Sequence, residues 1–136
     1  MKTTPTLALL ATALFSTGLA GTANAITPIP AAPVASLRLT VAHGPNPGSG
    51  MPHVVTLDCP PDSVTTHPDP FTACRLLDSV NGDLAQLNVD PGVCNDLYDP
   101  YTVTATGVYR GRQLAFQQTY GNHCVLLRTT GAFFDF

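Results

Sequence analysis

Residues 36–41 alternate between hydrophobic and polar residues, which is the pattern of a strand with one buried face. Leu37, Leu39 and Val41 lie on one side of this stretch and polar residues on the other. Other strands are predicted from runs of residues that favour strands. A glycine-containing joint at residues 109–112 suits a hairpin turn. Strands are predicted at residues 36–41, 54–57, 102–106 with 108–109, 113–120, 124–127 and 132–136.

Residues 71–87 follow a helical spacing instead, because their hydrophobic positions recur every three or four residues. Thr72 can cap the N-terminus of this helix, and Asn81-Gly82 suits its C-terminal stop. A short second helical turn is expected at residues 83–87. The whole pattern predicts an α+β domain with about five antiparallel strands and one or two short helices.

The first 25 residues have the order of a secretory signal peptide. Lys2 supplies a positive charge, a short apolar run follows, and residues 23–25 (Ala-Asn-Ala) form a small-residue cleavage site. The apolar run is too short to span a bilayer as a stable helix. We expect a signal peptide at residues 1–25, a flexible proline-rich arm at residues 26–35 and a folded domain at residues 36–136.

Charge and hydropathy narrow the possible partners. The chain has a net charge of −3, and all nine of its acidic residues are aspartates. No basic stripe is available to meet phosphates, so we expect no nucleic-acid partner. No second apolar run of spanning length follows the first, so we expect a secreted, extracellular protein with no membrane partner.

All four cysteines lie after the expected signal peptide, at Cys59, Cys74, Cys94 and Cys124. An even number of cysteines in a short secreted chain indicates a disulfide framework. Four cysteines allow three pairings, and their positions alone do not choose among them. A zinc site is disfavoured because no Cys-x-x-Cys pair occurs.

Candidate catalytic residues are few and scattered. Ser49 lies between two glycines, but its proline-rich loop lacks the strand–turn–helix setting of a nucleophilic serine. The four histidines form no His-Glu-x-x-His motif, and phosphate-binding glycine motifs are absent. We therefore expect a protein that is not an enzyme and that has no catalytic residues, no cofactor and no metal.

The most informative segment is residues 92–100, which read Gly-Val-Cys-Asn-Asp-Leu-Tyr-Asp-Pro. A disulfide at Cys94 would anchor an extended loop just before Asp96, and Pro100 biases the residue before it towards extended conformations. A loop held rigid in this way loses little entropy on binding, as an inhibitor that mimics a protease substrate requires. A surface loop cross-linked only for stability is the other interpretation that these residues allow.

Motifs spread over nearly the whole chain after residue 25 are those of a known family. The most specific is Tyr98-Asp99-Pro100 together with the two cysteine gaps. With the other motifs, it makes the chain resemble the Streptomyces subtilisin inhibitor family of secreted serine protease inhibitors. The other motifs are residues 36–41, 55–59, 66–68, 73–74, 82–84 and 107–108, Asn122 before the last cysteine, and the phenylalanine-rich C-terminus.

For the fold, the resemblance implies a five-stranded antiparallel sheet with two short helices. It implies that Cys59 pairs with Cys74 and that Cys94 pairs with Cys124. Members of the family are typically homodimers that associate through the sheet, so a homodimer is expected here.

For the site, the resemblance implies a reactive bond between Asp96 and Leu97. Asp96 would be the P1 residue, which precedes the bond that a protease attacks, and Leu97 would be P1′. Asn122 would support the loop by hydrogen bonds to its backbone. The remaining residues of the reactive loop would be Val93, Cys94, Asn95, Tyr98 and Asp99.

Asp96 departs from the pattern of the family, whose inhibitors of subtilisin usually carry Met, Leu or Lys at P1. An unpaired carboxylate is costly to bury in the largely apolar S1 pocket of a subtilisin, unless it enters protonated. Our hypothesis is a target that prefers acidic residues, such as a glutamate-specific serine endopeptidase. Two other functions stay open, which are inhibition of a metalloprotease through another face and a non-inhibitory secreted binding module.

Overall fold

The computed structural model describes residue 21, residues 25–29 and residues 31–136. It divides into two units, Met1–Pro30 and Ala31–Phe136. In the first unit, the described residues 25–29 have no regular secondary structure. Most of the expected signal peptide lies outside the described residues. Within the part that is described, we find no helix long and apolar enough to cross a membrane.

The second unit is built on one antiparallel sheet. Its strands are β1 (Ala35–His43), β2 (His53–Cys59), β3 (Tyr101–Tyr109) and β4 (Arg112–Tyr120). Their order in the sheet is β2-β1-β3-β4. β1 therefore pairs on both sides, with β2 and with β3. The alternation that predicted β1 is a burial alternation, since every second side chain of the first half of this strand faces the core.

The structure corrects the expected number of strands, because residues 31–136 form four strands rather than five. The segment predicted as the last strands folds as helix α2 (His123–Thr130) and a 3₁₀ helix (Gly131–Phe134). The Asn122 side chain accepts a hydrogen bond of 3.0 Å from the backbone N–H of Val125 and so caps the N-terminus of α2. Gly131 then ends the helix with a φ of 55°.

The other helices lie where the spacing predicts them. Helix α1 spans Pro70–Ser79, and a short 3₁₀ helix follows at Leu84–Gln86. The cap of α1 is Asp69 rather than Thr72, because the Asp69 carboxylate accepts from the backbone N–H of Thr72. The α+β class with two α-helices is confirmed, although α2 lies where a strand was expected.

Within residues 31–136, the helices pack on the face of the sheet that carries Leu37 and Leu39. Ser36 and Arg38 on the other face are exposed, and we call that face the open face. The core between the helices and the sheet is mainly apolar, with Leu39, Leu57, Leu77, Leu126 and Phe133 almost inaccessible to solvent. Both disulfides implied by the family are present. The bond Cys59–Cys74 joins the end of β2 to α1, and Cys94–Cys124 joins α2 to the segment between the 3₁₀ helix at Leu84–Gln86 and β3.

Candidate functional site

The segment that leads into β3 is long, irregular and exposed. Residues 88–100 contain no helix or strand. At the centre of this loop, Val93 is 92% exposed, Leu97 69% and Tyr98 72%. Asn95 and Asp96 are exposed as well. Large apolar side chains in water mark an interaction surface when they are grouped, as they are in this loop.

One buried residue, Asn122, holds the centre of the loop. Its side-chain amide donates hydrogen bonds of 3.0 Å to the carbonyl of Asn95 and of 3.0 Å to the carbonyl of Leu97. Its side-chain oxygen is the cap of α2 described above. Asn122 is only 8% exposed, and both ends of its carboxamide are engaged. The backbone on either side of Asp96 is therefore tied to the start of a packed helix.

The first half of the loop is attached to α2 as well, by a disulfide and by backbone hydrogen bonds. Cys94 is bonded to Cys124 in the first turn of the helix. Further back, the backbone N–H groups of Asp90 and Val89 donate to the carbonyls of Arg128 and Thr129, at 2.9 and 3.1 Å. These carbonyls belong to the last turn of α2, where no partner within the helix is available. Residues 89–97 thus run antiparallel along the whole of α2.

The second half of the loop is held by its neighbours at the end of the sheet. The backbone N–H of Asp99 donates to the carbonyl of Gly121 at 2.9 Å, and the carbonyl of Pro100 accepts from Gly44 at 2.7 Å. The Asp99 carboxylate lies 2.6 Å from Nε2 of His43. The His43 ring in turn stacks on Tyr101, with 4.5 Å between ring centroids. Both ends of the loop are therefore fixed.

The loop carries three carboxylates in different electrostatic settings. Asp90 pairs with Arg128 at 3.1 Å, and Asp99 pairs with His43. Within residues 31–136, no basic side chain comes within 4.0 Å of the carboxylate of Asp96. The residue at the apex of the loop therefore presents an uncompensated negative charge to solvent.

Two other candidate residues, His67 and Ser49, make hydrogen bonds within the fold. His67 is buried, its Nδ1 accepts from the backbone N–H of Asp69 at 3.1 Å, and its Nε2 donates to the carbonyl of Phe133 at 3.2 Å. Burial lowers the pKa of His67, and the Phe133 carbonyl and the Asp69 carboxylate oppose this only in part. Ser49 accepts from the backbone N–H of Asn46. No group of three metal-ligating side chains converges within the described part of the chain.

The sequence interpretation missed two residues that hold the loop, Arg128 and His43. Their contacts to Asp90 and Asp99 cross 38 and 56 positions of sequence. A basic residue in the last turn of a helix is a weak signal for the contact of Arg128. This signal can be used only once residues 123–130 are known to form a helix. No sequence signal indicates the second contact.

This chain is similar to known proteins over most of its length. A family model described as subtilisin inhibitor-like matches residues 33–122. A trypsin inhibitor of Streptomyces longisporus is 43% identical over 124 residues, covering 88% of this chain and 86% of that protein. A subtilase-type protease inhibitor of Streptomyces fradiae is 44% identical over 103 residues, covering 74% of this chain and 72% of that protein.

A solved structure is similar as well. It is the crystal structure of Streptomyces caespitosus sermetstatin in complex with Bacillus licheniformis subtilisin. The TM-score is 0.61 and the sequences are 31% identical, over 75% of this chain and 98% of sermetstatin. The similarity therefore extends over the fold that carries the loop.

Proposed function

We propose that this chain, which belongs to the subtilisin inhibitor-like family, inhibits serine endopeptidases and is not an enzyme itself. The observation that carries the proposal is the exposed loop whose backbone is tied to Asn122 and to the Cys94–Cys124 disulfide. Such a loop can enter a protease cleft in the extended form of a substrate, because little ordering remains to be done on binding.

The reactive bond that we propose is Asp96–Leu97. Asn122 bonds to one carbonyl before this bond, at Asn95, and to one carbonyl after it, at Leu97. If the protease cleaves the bond, these two hydrogen bonds and the disulfide keep the new ends close together. The amine of the Leu97 fragment stays beside the acyl-enzyme, which favours re-formation of the bond over its hydrolysis. Tight binding with slow turnover is the expected result.

The charge of Asp96 selects the target in this proposal. A trypsin-type S1 pocket contains a carboxylate, which would repel Asp96, and an apolar S1 pocket would bury its charge unpaired. A pocket with a basic group would pair with it. We therefore propose a target that cleaves after acidic residues. Trypsin is not the target that we propose, although a trypsin inhibitor of Streptomyces longisporus is a relative of this chain.

A panel of extracellular proteases tests this proposal. We expect inhibition of a glutamate-specific serine endopeptidase at neutral pH, weaker inhibition of subtilisin, and none of trypsin. The variant Asp96→Met should inhibit subtilisin more strongly and the glutamate-specific enzyme less. Equal or stronger inhibition of subtilisin by the wild type at neutral pH would contradict the target that we propose. Inhibition of a metalloprotease that survives Asp96→Gly would instead favour another binding face.

We further propose that the protein is secreted and forms a homodimer through the open face of its sheet. Most side chains on this face are small and uncharged, among them Thr40, Val54, Thr104 and Ala115, and Arg38 lies on it as well. A second copy of the chain that covers this face would remove its apolar surface from water, which favours association. Light scattering of the exported protein should give the mass of a dimer, and the variant Thr104→Arg should have half that mass. Mass spectrometry of the exported protein should find Ile26 as its first residue, as secretion with removal of the signal peptide requires. A monomer in the wild type would contradict the dimer.

A further inference from the structure

Within residues 31–136, Arg128 is the one charged side chain that bonds to the first half of the loop. Its Nη1 donates to the carbonyl of Asp90 at 3.3 Å and to the Asp90 carboxylate at 3.1 Å. An exposed ion pair of this kind adds little to the stability of a fold. The contact to the backbone carbonyl is different, because it fixes the path of the main chain that leads into Val93–Asp96.

Gly92 shows that the guanidinium occupies a defined place under the loop. A Cβ built on Gly92 would lie 2.1 Å from Nη1 of Arg128 and 2.8 Å from its Cζ. The φ angle of Gly92 lies outside the left-handed region, so its backbone conformation is open to other residues. A side chain at residue 92 would therefore force the guanidinium of Arg128 to move away from the loop, while the backbone itself could stay as it is.

We propose that Arg128 is a positioning residue for inhibition, acting through Asp90 and the backbone beside Gly92. This inference rests on the proposed function. In it, Arg128 supports the residues before the reactive bond, as Asn122 supports the bond itself. The contacts of Arg128 to the Asp90 carbonyl and carboxylate order the loop before the protease arrives, so losing them weakens binding more than it weakens the fold.

The first experiment compares Arg128→Ala with Arg110→Ala. Arg110 is a matched control, since it also makes an exposed ion pair, with Asp78 at 3.3 Å, at the opposite end of the sheet. Against a serine endopeptidase that the wild type inhibits, we expect Arg128→Ala to raise the inhibition constant roughly tenfold or more. It should also speed cleavage of the Asp96–Leu97 bond. Arg110→Ala should change neither, and the two variants should have similar melting temperatures.

The second experiment adds Gly92→Ala in both backgrounds. In the wild type, the new Cβ displaces the guanidinium, so Gly92→Ala should weaken inhibition about as much as Arg128→Ala does. In the Arg128→Ala background it should add almost nothing, because the two changes remove the same contact.

Three results would overturn the inference. An inhibition constant unchanged by Arg128→Ala, in a wild type that does inhibit, refutes it and leaves the proposed function standing. A rise in the inhibition constant on Gly92→Ala that is equal in the wild-type and Arg128→Ala backgrounds also refutes the inference and leaves the proposed function standing. If the wild type inhibits no serine endopeptidase, the proposed function fails and the inference fails with it.

Discussion

At the scale of single residues, Asn122 connects the fold to the site. Its oxygen caps α2, and its amide bonds to the carbonyls on both sides of Asp96. The two contributions concern different properties of the protein. The cap stabilises the fold, whereas the two donated hydrogen bonds hold the loop in one conformation.

Two variants of Asn122 separate these contributions. Asn122→Ser keeps a good N-cap and loses both donated bonds, whereas Asn122→Ala loses all three contacts. We expect Asn122→Ala to lower the free energy of unfolding by about 1 kcal/mol more than Asn122→Ser. Both should be cleaved at Asp96–Leu97 much faster than the wild type. Thermal unfolding and cleavage assays measure the two effects, and a wild-type cleavage rate in Asn122→Ser would show that the hydrogen bonds do not protect the loop.

His67 is expected to make the stability of the fold depend on pH. Its neutral ring accepts from the Asp69 backbone and donates to Phe133, and burial lowers its pKa below the ordinary value of 6.5. A lowered pKa means that the unfolded chain binds the proton more tightly. The stabilisation is therefore complete above pH 6.5 and is lost as the pH falls below it. Urea unfolding at pH 7.5 and pH 5.5 should show this loss, and His67→Gln should reduce the difference. An equal pH dependence in the variant would exclude His67 as its source.

At the scale of secondary structure, α2 is the support on which the loop lies. The loop follows it from the Cys94–Cys124 disulfide in its first turn to the carbonyls of its last turn. Leu126 and Thr130 fix the helix in the core, since neither is accessible to solvent. The rigidity of the loop is therefore inherited from the core through this helix.

The two disulfides are expected to differ in what they do. Both close loops of the chain, and each removal should cost roughly 2–5 kcal/mol of stability. Replacing Cys94 and Cys124 by serine should also weaken inhibition strongly, because it frees the start of the reactive loop. Replacing Cys59 and Cys74 by serine should leave inhibition nearly intact at a temperature where the variant is folded. Equal losses of inhibition in the two double variants would contradict this division.

The elements were predictable from sequence to the extent that each has its own periodicity. β1 alternates, the other three strands are rich in residues that favour strands, and α1 has helical spacing, so local pattern identifies them. α2 was missed because residues 124–127 are a short apolar run, which fits a buried strand and a buried helix equally well. Asn122 and Gly131, a capping residue and a glycine stop nine positions apart, are the signals that favour a helix.

The site was predictable only where a family pattern carried it. The exposed loop and its disulfide follow from residues near Cys94 and Pro100. The supports at Arg128 and His43 depend on tertiary contacts between distant parts of the chain, about which a local pattern contains little information.

At the scale of the whole molecule, the sheet separates two surfaces. The loop lies at the end where β3 begins, beside the ends of β1 and β4. The open face of the sheet is the surface through which we propose that two copies of the chain associate. In a dimer formed on that face, both loops would remain exposed, so each protomer could bind its own protease.

The central claim is that the loop binds a protease as a substrate does. The most direct measurement is mass spectrometry of the inhibitor after incubation with a small amount of a glutamate-specific serine endopeptidase. We predict one slow cleavage, between Asp96 and Leu97, with a mass gain of one water until the Cys94–Cys124 disulfide is reduced and the two fragments separate. Inhibition with no cleavage at this bond, or with cleavage elsewhere in the chain, would contradict the claim.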